Sequence, residues 1–419
     1  MDHFAYKSGV LHAEDVPLAD IAEAVGTPCY IYSRATLTRH ARVFRDALAV
    51  LPRVQIAFAM KSNPNLAVLK LLAAEGYGAD VVSAGEMDRA LAAGMPARSI
   101  VFSGVGKTTE EMRRALTVGI GQFNLESEEE GIELAALAEA TGQRAACALR
   151  VNPDVDAGTH DKISTGKAEN KFGVPYDRAV DYYARLAALP GLEMRGLAVH
   201  IGSQLSNLAP LAAAFSRLGE LMRHIRAAGH SVTHMDLGGG LGVPYKKGEI
   251  FPSPAEYADM IARVTADWDV ALMFEPGRVI AGNSGVLLTR VVRVKPGITA
   301  PFVIIDAAMN DLARPALYDA WHDFIAVQPS GERMTANIVG PICESSDTFA
   351  MGRDIDAVQP GDLAVFRTAG AYGATMANTY NSRALVPEVM VDGDKWALVA
   401  RRIDPATILA AECVPDWLQ

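Results

Sequence analysis

The sequence predicts a (β/α)8 barrel followed by an all-β domain, and three observations carry that expectation. From residue 54 to about 280 one unit recurs eight times: a short β-rich run, a polar or glycine turn, then an amphipathic helix, the count of a closed barrel. After residue 284 the runs continue but the long helices stop. The chain has 419 residues, half of them hydrophobic, enough for a barrel and an appendage each with its own core. A doubly wound open sheet is the alternative architecture; the count of eight favours closure.

The expected barrel strands are 54–60, 78–82, 99–103, 121–125, 145–151, 193–201, 233–238 and 270–275. Between them the 3.6-residue period places helices at 64–75, 84–93, 108–118, 127–141, 176–189, 208–228 and 254–266. Several of these helices run into a glycine, namely Gly76, Gly94, Gly119, Gly142 and Gly229, the residue that most readily closes a helix. Cys29-Tyr30-Ile31-Tyr32 reads as a ninth strand that the barrel cannot seat. The later runs are 285–294, 301–306, 335–339, 363–367, 385–391 and 395–402, with Asp392-Gly393 as a hairpin turn. The expected division is therefore 1–35 as an N-terminal segment whose strand joins the β domain, 36–282 as the barrel, and 283–419 as the β domain. The stretch 152–175, with Asp154, Asp156, Thr159, His160, Ser164, Thr165 and Gly166, lacks periodicity and has the length of a lid.

Composition excludes several function classes. The net charge is −10 and no basic run exists, so neither nucleic acid nor an anionic membrane surface is an expected partner. No apolar span reaches membrane length, and the first twenty residues lack a signal-peptide core. Cys29, Cys147, Cys343 and Cys413 have neither zinc spacing nor a disulfide framework. No metal site is expected, and a reducing cytoplasm fits.

Chemistry in a barrel gathers at the C-terminal ends of the strands. The first strand alternates bulky Val54, Ile56, Phe58 and Met60 with small or polar Gln55, Ala57 and Ala59; Lys61 falls on the small parity at its exit. Asn63 must stay extended before Pro64, which suits the first position of a helix. A lysine on a rigid support among small neighbours suits a Schiff-base amine. At the seventh strand's end, Gly238-Gly239-Gly240 lets backbone N–H groups converge on an anion. The eighth ends in Glu275-Pro276-Gly277-Arg278, where the carboxylate could bond a pyridinium nitrogen or pair with Arg278 as an ordinary surface ion pair. His200 leaves the sixth strand where an imidazole can stack on an aromatic ring, and Ser203 follows with a hydroxyl for phosphate. Ser103-Gly104-Val105-Gly106-Lys107-Thr108 looks like a P-loop, but position 101 is valine where the motif needs glycine. It reads instead as a turn capped by Thr108 or Thr109 before Glu110 and Glu111. In the β domain three polar loops stand out: Asn310 to Tyr318, with Arg314; Gly340 to Asp347, with Cys343 and Glu344; and Ala369 to Gly373, with Tyr372.

Together these segments resemble the fold-type III pyridoxal phosphate enzymes, which share the alanine racemase-like architecture, and within them the diaminopimelate decarboxylase family. The resemblance runs from about residue 26 to 402; its markers are Phe58-Ala59-Met60-Lys61-Ser62-Asn63, Arg150-Val151-Asn152-Pro153 through Asn170-Lys171-Phe172-Gly173, His200-Ile201-Gly202-Ser203, Glu275-Pro276-Gly277-Arg278 and Cys343-Glu344-Ser345. It implies pyridoxal 5'-phosphate as cofactor and a head-to-tail homodimer with shared active sites. It also implies that meso-2,6-diaminopimelate is converted to L-lysine and carbon dioxide, the last step of lysine synthesis. By the same resemblance Lys61 carries the cofactor as a Schiff base, His200 stacks on its ring, Glu275 pairs with the ring nitrogen and Asp80 lies near the ring. Ser203, Gly240, Gly277, Arg278 and Tyr372 surround the phosphate, with Gly238 and Gly239 in the same loop. Cys343 and Glu344 come from the partner subunit, and the Cα proton comes from Cys343 or Lys61. The sequence departs from the family after Tyr380-Asn381-Ser382-Arg383, where it reads Ala384-Leu385-Val386-Pro387.

For the substrate, Glu344 can meet a distal ammonium while Arg278 and Arg314, with Tyr318 and Tyr372, clamp a distal carboxylate. Lysine, taken as lacking the second carboxylate, is expected to leave a buried arginine unpaired at about 3–5 kcal/mol, and so to bind poorly. The rival readings are a decarboxylase for another amino acid or a racemase on the same fold, and a non-catalytic relative, which would be expected to have lost Lys61 or Cys343.

Overall fold

The computed structural model describes residues 2–156 and 171–418, which divide into two compact units. Thr159, His160, Ser164, Thr165, Gly166 and Asn170 lie outside the described residues. One unit comprises Thr38–Pro244 with Ile250–Ile280; the other combines Met1–Leu37, Tyr245–Glu249 and Ala281–Gln419.

The first unit is a closed barrel of eight parallel strands. In chain order they are Val54–Ala59, Gly78–Val81, Ile100–Phe102, Gln122–Leu125, Ala145–Asn152, Leu192–Ala198, His234–Asp236 and Ala271–Phe274. Each pairs with the next, and the eighth returns to the first with Phe274 opposite Ile56. Alternation explains the register. Ala57 meets Val101 and Met273 from strands three and eight, so the small parity of strand one faces the barrel interior. Phe58, Phe102 and Phe123 are fully or almost fully buried, and such rings contribute roughly 1.5–3 kcal/mol each on burial.

Helices follow strands one to seven at Leu66–Ala74, Ala84–Ala92, Thr109–Val118, Glu128–Ala140, Ala179–Ala187, Ala209–Ala227 and Pro254–Val264. The expected glycines close several of them: Gly119 adopts φ 73° and takes its N–H to Ala115 and Leu116. The cap of the helix after strand three is Thr108, in a reciprocal capping box with Glu111. Strand eight is followed by a short helix, Arg278–Ala281, and a 3₁₀ turn, Gly282–Ser284. A helix not expected from the sequence, Arg34–Ala47, packs on this wall: Phe44 stacks on Tyr257 at 6.3 Å, and Tyr77 donates to Ala41 O at 2.7 Å.

Two expectations around Lys61 shift. Strand one ends at Ala59, and Met60–Ser62 forms a 3₁₀ turn, so strand parity does not aim Lys61; the turn does. The following helix starts at Leu66 with Asn65 as its cap, two residues beyond the expected start at Pro64.

The second unit centres on a sheet in which Cys29–Ser33 lies between Gly285–Lys295, antiparallel, and Glu388–Asp392, parallel. The sheet continues through Phe302–Ile305 to Arg333–Val339 and Thr348–Asp356, and on the other side to Lys395–Ala400. Leu363–Phe366 also pairs with Gly285–Lys295 and with Phe324–Ala326. Thr348–Asp356, Phe324–Ala326 and the amino-terminal strands Phe4–Lys7, Val10–Ala13 and Val16–Pro17 were not expected. Phe4, Leu11, Leu18, Ile21, Cys29, Ile31, Val286 and Val389 form the core beneath them.

Candidate active site

A cavity of about 350 Å³ opens at the C-terminal mouth of the barrel, and all eight strands deliver a residue to it. Lys61 follows strand one, Val82 follows strand two, Ser103 follows strand three, and Asn124 and Arg150 stand on strands four and five. His200 follows strand six, Asp236 ends strand seven and Glu275 follows strand eight.

Lys61 Nζ lies 3.0 Å from Oδ2 of Asp80, whose side chain is fully buried on strand two. The other oxygen, Asp80 Oδ1, is buried with no hydrogen-bond partner. That unmet hydrogen-bonding capacity sits beside the Lys61 amine.

Glu275 and Asp236 form a buried carboxyl pair. Asn124 Nδ2 donates to Asp236 Oδ2 at 2.8 Å and approaches Glu275 Oε1 at 3.4 Å, as does Ser103 Oγ. The Gly238 N–H donates to Asp236 Oδ1 at 2.9 Å. Burial, then the Asp236 and Asp80 carboxylates, push Glu275 well above the ordinary carboxyl range; burial raises Asp236 too. The pair therefore retains a proton that an aromatic nitrogen can share. Arg278 turns to Ser203: its Nε and Nη2 donate to Ser203 Oγ at 3.3 and 3.0 Å.

The imidazole of His200 accepts at Nδ1 from the Gly239 N–H at 3.2 Å, which leaves the proton on Nε2. Burial, then the Lys61 and Arg150 cations, hold it well below the ordinary histidine range, so it is neutral. Gly239 is required sterically, since a Cβ there would lie 2.3 Å from Glu275 O; Gly238 needs its φ of 63° and would press its Cβ onto Val199 O. Gly240 closes the loop against Gly202, and Gly277 packs on Ala59 and Ser62. With the Gly238 and Gly239 N–H groups spent on Asp236 and His200, the Gly240 end of the loop, the Ser203 hydroxyl and the Arg278 guanidinium are the donors suited to a phosphate. With an amine at 61, a proton-bearing carboxyl at 275 and a neutral ring at 200, the residues fit pyridoxal phosphate.

Neutral His200 has a measurable consequence. As pH falls below about 6.5 the unfolded chain binds a proton there that the folded chain refuses, so stability is lost at about 1.4 kcal/mol per pH unit. The stability difference between the cofactor-free protein and its His200→Asn variant is expected to change by that slope between pH 6.5 and 5. A flat difference in denaturant melts would mean that His200 titrates normally.

The other predicted residues belong to the second unit. Arg314 is buried at the start of helix Arg314–Tyr318, and Tyr318, half-buried, ends it. Tyr372 is half-buried with φ 57°. Cys343 and Glu344 are exposed on the turn before Thr348–Asp356; the Cys343 N–H donates to Asn381 Oδ1 at 3.3 Å. Glu344 raises the Tyr380 phenol by accepting its hydrogen bond.

Sequence reasoning missed Ser103, Asn124, Arg150 and Asp236 as site residues. Arg150 is buried, pairs with Glu126 Oε1 at 2.6 Å and lies over the Phe172 ring at 4.7 Å. Lys107 of the P-loop-like segment has a structural task, tying Gly104 O, Asn124 O and Glu130 together at 2.7–2.8 Å. The one available signal was polar residues on short barrel strands, Gln122 and Asn124 on strand four and Asp236 at the end of strand seven.

Residues 34–282 match the family model for the pyridoxal binding domain of pyridoxal-dependent decarboxylases. The chain is 53% identical over 418 residues, 99% of both chains, to a diaminopimelate decarboxylase of Zymomonas mobilis. It is 50% identical over 417 residues, again 99% of both, to one of Vibrio cholerae. Among solved structures, diaminopimelate decarboxylase of M. jannaschii in co-complex with L-lysine superposes with a TM-score of 0.96 at 34% identity, covering 100% of this chain and 99% of that one.

Proposed function

The chain belongs to the diaminopimelate decarboxylase family of pyridoxal-dependent decarboxylases, and on that premise we propose that it converts meso-2,6-diaminopimelate to L-lysine and carbon dioxide, the final step of lysine biosynthesis. The observation that carries the reading is Lys61 at the barrel mouth, 3.0 Å from a buried carboxylate and sharing one cavity with Glu275 and His200.

Bound in that cavity, pyridoxal phosphate supplies an electron sink for the carbon that loses carbon dioxide. The protein's side chains hold, orient and exchange protons around it. Lys61 Nζ would anchor the cofactor covalently, and Asp80 keeps a counter-charge beside it. Glu275 holds the proton at the ring nitrogen, with Asn124, Ser103 and Asp236 behind it. His200 offers a neutral face to the ring. The Gly240 amide, Ser203, Gly277 and Arg278 hold the phosphate end, while the Gly238 and Gly239 amides stay committed to Asp236 and His200. Arg314 and Tyr318 receive the substrate's remote carboxylate, and Glu344 receives its remote ammonium. Cys343 and Glu344 act from the partner subunit of a homodimer; their exposure on a surface turn of the single chain supports that reading. Cys343 Sγ or Lys61 Nζ returns the proton to Cα. Among the described residues no helix is long and apolar enough to cross a membrane. The free cysteines support a cytoplasmic location.

One expectation about the product fails on its chemistry. Loss of carbon dioxide from one end leaves the other amino-acid head intact, so lysine keeps a carboxylate for the guanidiniums and should bind as a product inhibitor. The L-lysine in the M. jannaschii co-complex supports this correction.

Carbon dioxide release from meso-diaminopimelate with added pyridoxal phosphate is expected to exceed that from ornithine, arginine or lysine by at least about 10³-fold in kcat/KM, since a site built for a charged head rejects substrates lacking it. Preference for a substrate without a remote carboxylate would reject the assignment.

A further inference from the structure

Two uncharged side chains fix the orientation of Arg314. Its Nη1 donates to Nε2 of His322 at 2.8 Å, and its Cζ lies 4.6 Å from the centre of the Tyr245 ring. His322 is itself buried and fixed: Nδ1 lies 2.9 Å from Arg367 O. A carbonyl only accepts, so the proton sits on Nδ1 and Nε2 presents a lone pair to the guanidinium. Tyr245 meets the imidazole edge-on, with ring centres 5.2 Å apart at 85°.

The choice of partner matters. A carboxylate at position 322 would also orient Arg314, but it would neutralise the charge that a substrate carboxylate needs. A neutral imidazole occupies one of five guanidinium donors and places no negative charge beside it. Prior fixation of a long side chain also removes rotamer entropy, about 2 kcal/mol for arginine, that binding would otherwise lose.

We propose that His322, supported by Tyr245, is the positioning residue that presents Arg314 to the remote carboxylate and so sets discrimination for substrates carrying one. This rests on the reading of Arg314 as a carboxylate ligand.

The test uses the holoenzyme and two inhibitors of equal chain length, L-lysine, which has a carboxylate, and cadaverine, which has none. His322→Leu is expected to raise KM for meso-diaminopimelate and the inhibition constant of L-lysine about 30-fold, the worth of a charge-assisted hydrogen bond. Cadaverine inhibition and the visible band of the bound cofactor should stay as in wild type, while kcat falls at most about threefold. His322→Gln, which can donate and accept at similar reach, should recover most of the lysine affinity. If His322→Leu does not fold, Tyr245→Leu and His322→Gln carry the same comparison. Lysine and cadaverine weakening together, or neither weakening, overturns the proposal. Arg314→Lys separates the two levels. If it raises the lysine constant while His322→Leu does not, only the role of His322 falls; if Arg314→Lys itself changes nothing, the reading of Arg314 falls and the proposal with it.

Discussion

Replacing Lys61 with alanine is expected to lower decarboxylation by at least about 10⁴-fold and to remove the visible absorbance of protein-bound pyridoxal phosphate. Among the described residues lining the cavity, Lys61 is the sole primary amine. The variant also strands Asp80, whose Oδ1 already lacks a partner, beside a missing cation. Because Lys61 is 40% exposed, the stability cost should be modest, about 1–3 kcal/mol, so the protein should still fold. Absorbance after dialysis and turnover of meso-diaminopimelate are the measurements. A variant that keeps the band after dialysis would refute the covalent role.

Glu275→Gln is expected to bind the cofactor yet lose about 10³-fold in kcat, the scale for removing one pre-organised electrostatic partner. An amide matches the carboxyl in size and can still meet Asp236, Asn124 and Ser103, so packing should survive. What it cannot do is hold a proton at the ring nitrogen. Single-turnover rates separate this from a binding defect; a kcat within tenfold of wild type would remove Glu275 from the chemistry.

The barrel was legible because most of its strands are apolar runs ended by a turn residue, and several of its helices start at a side-chain cap, as at Asn65, Ser83, Thr108, Ser127 and Ser253. Lys61, His200 and Glu275 were legible for a related reason: each is a polar residue just beyond a strand, where the fold exposes chemistry. Asn124 and Asp236 escaped notice because their importance is collective. A polar residue on a barrel strand is only a faint signal; they matter because strands three, four, seven and eight bring Ser103, Asn124, Asp236 and Glu275 together. His322 is a stronger case, since only the fold sets its Nε2 against Arg314. The amino-terminal hairpin was missed although Ser8 and Gly9, at φ 49° and 82°, make a turn of the kind that pairs strands. Its strands are four residues long and carry Lys7 and His12, too short and polar for a periodic signal. Thr348–Asp356 was missed because its exposed half carries Gly352, Arg353 and Asp354 and pairs only along one edge.

Cys29–Ser33 has a consequence for how the molecule is made. Its parallel neighbour begins at Glu388, 388 − 33 = 355 positions after Ser33. A ribosome adding 5–20 residues per second needs roughly 20–70 s to produce that neighbour. Throughout that interval the barrel can finish folding while an apolar strand from the start of the chain waits with an open edge. Nascent chains stalled before residue 388 should therefore depend on chaperones far more than full-length ones do.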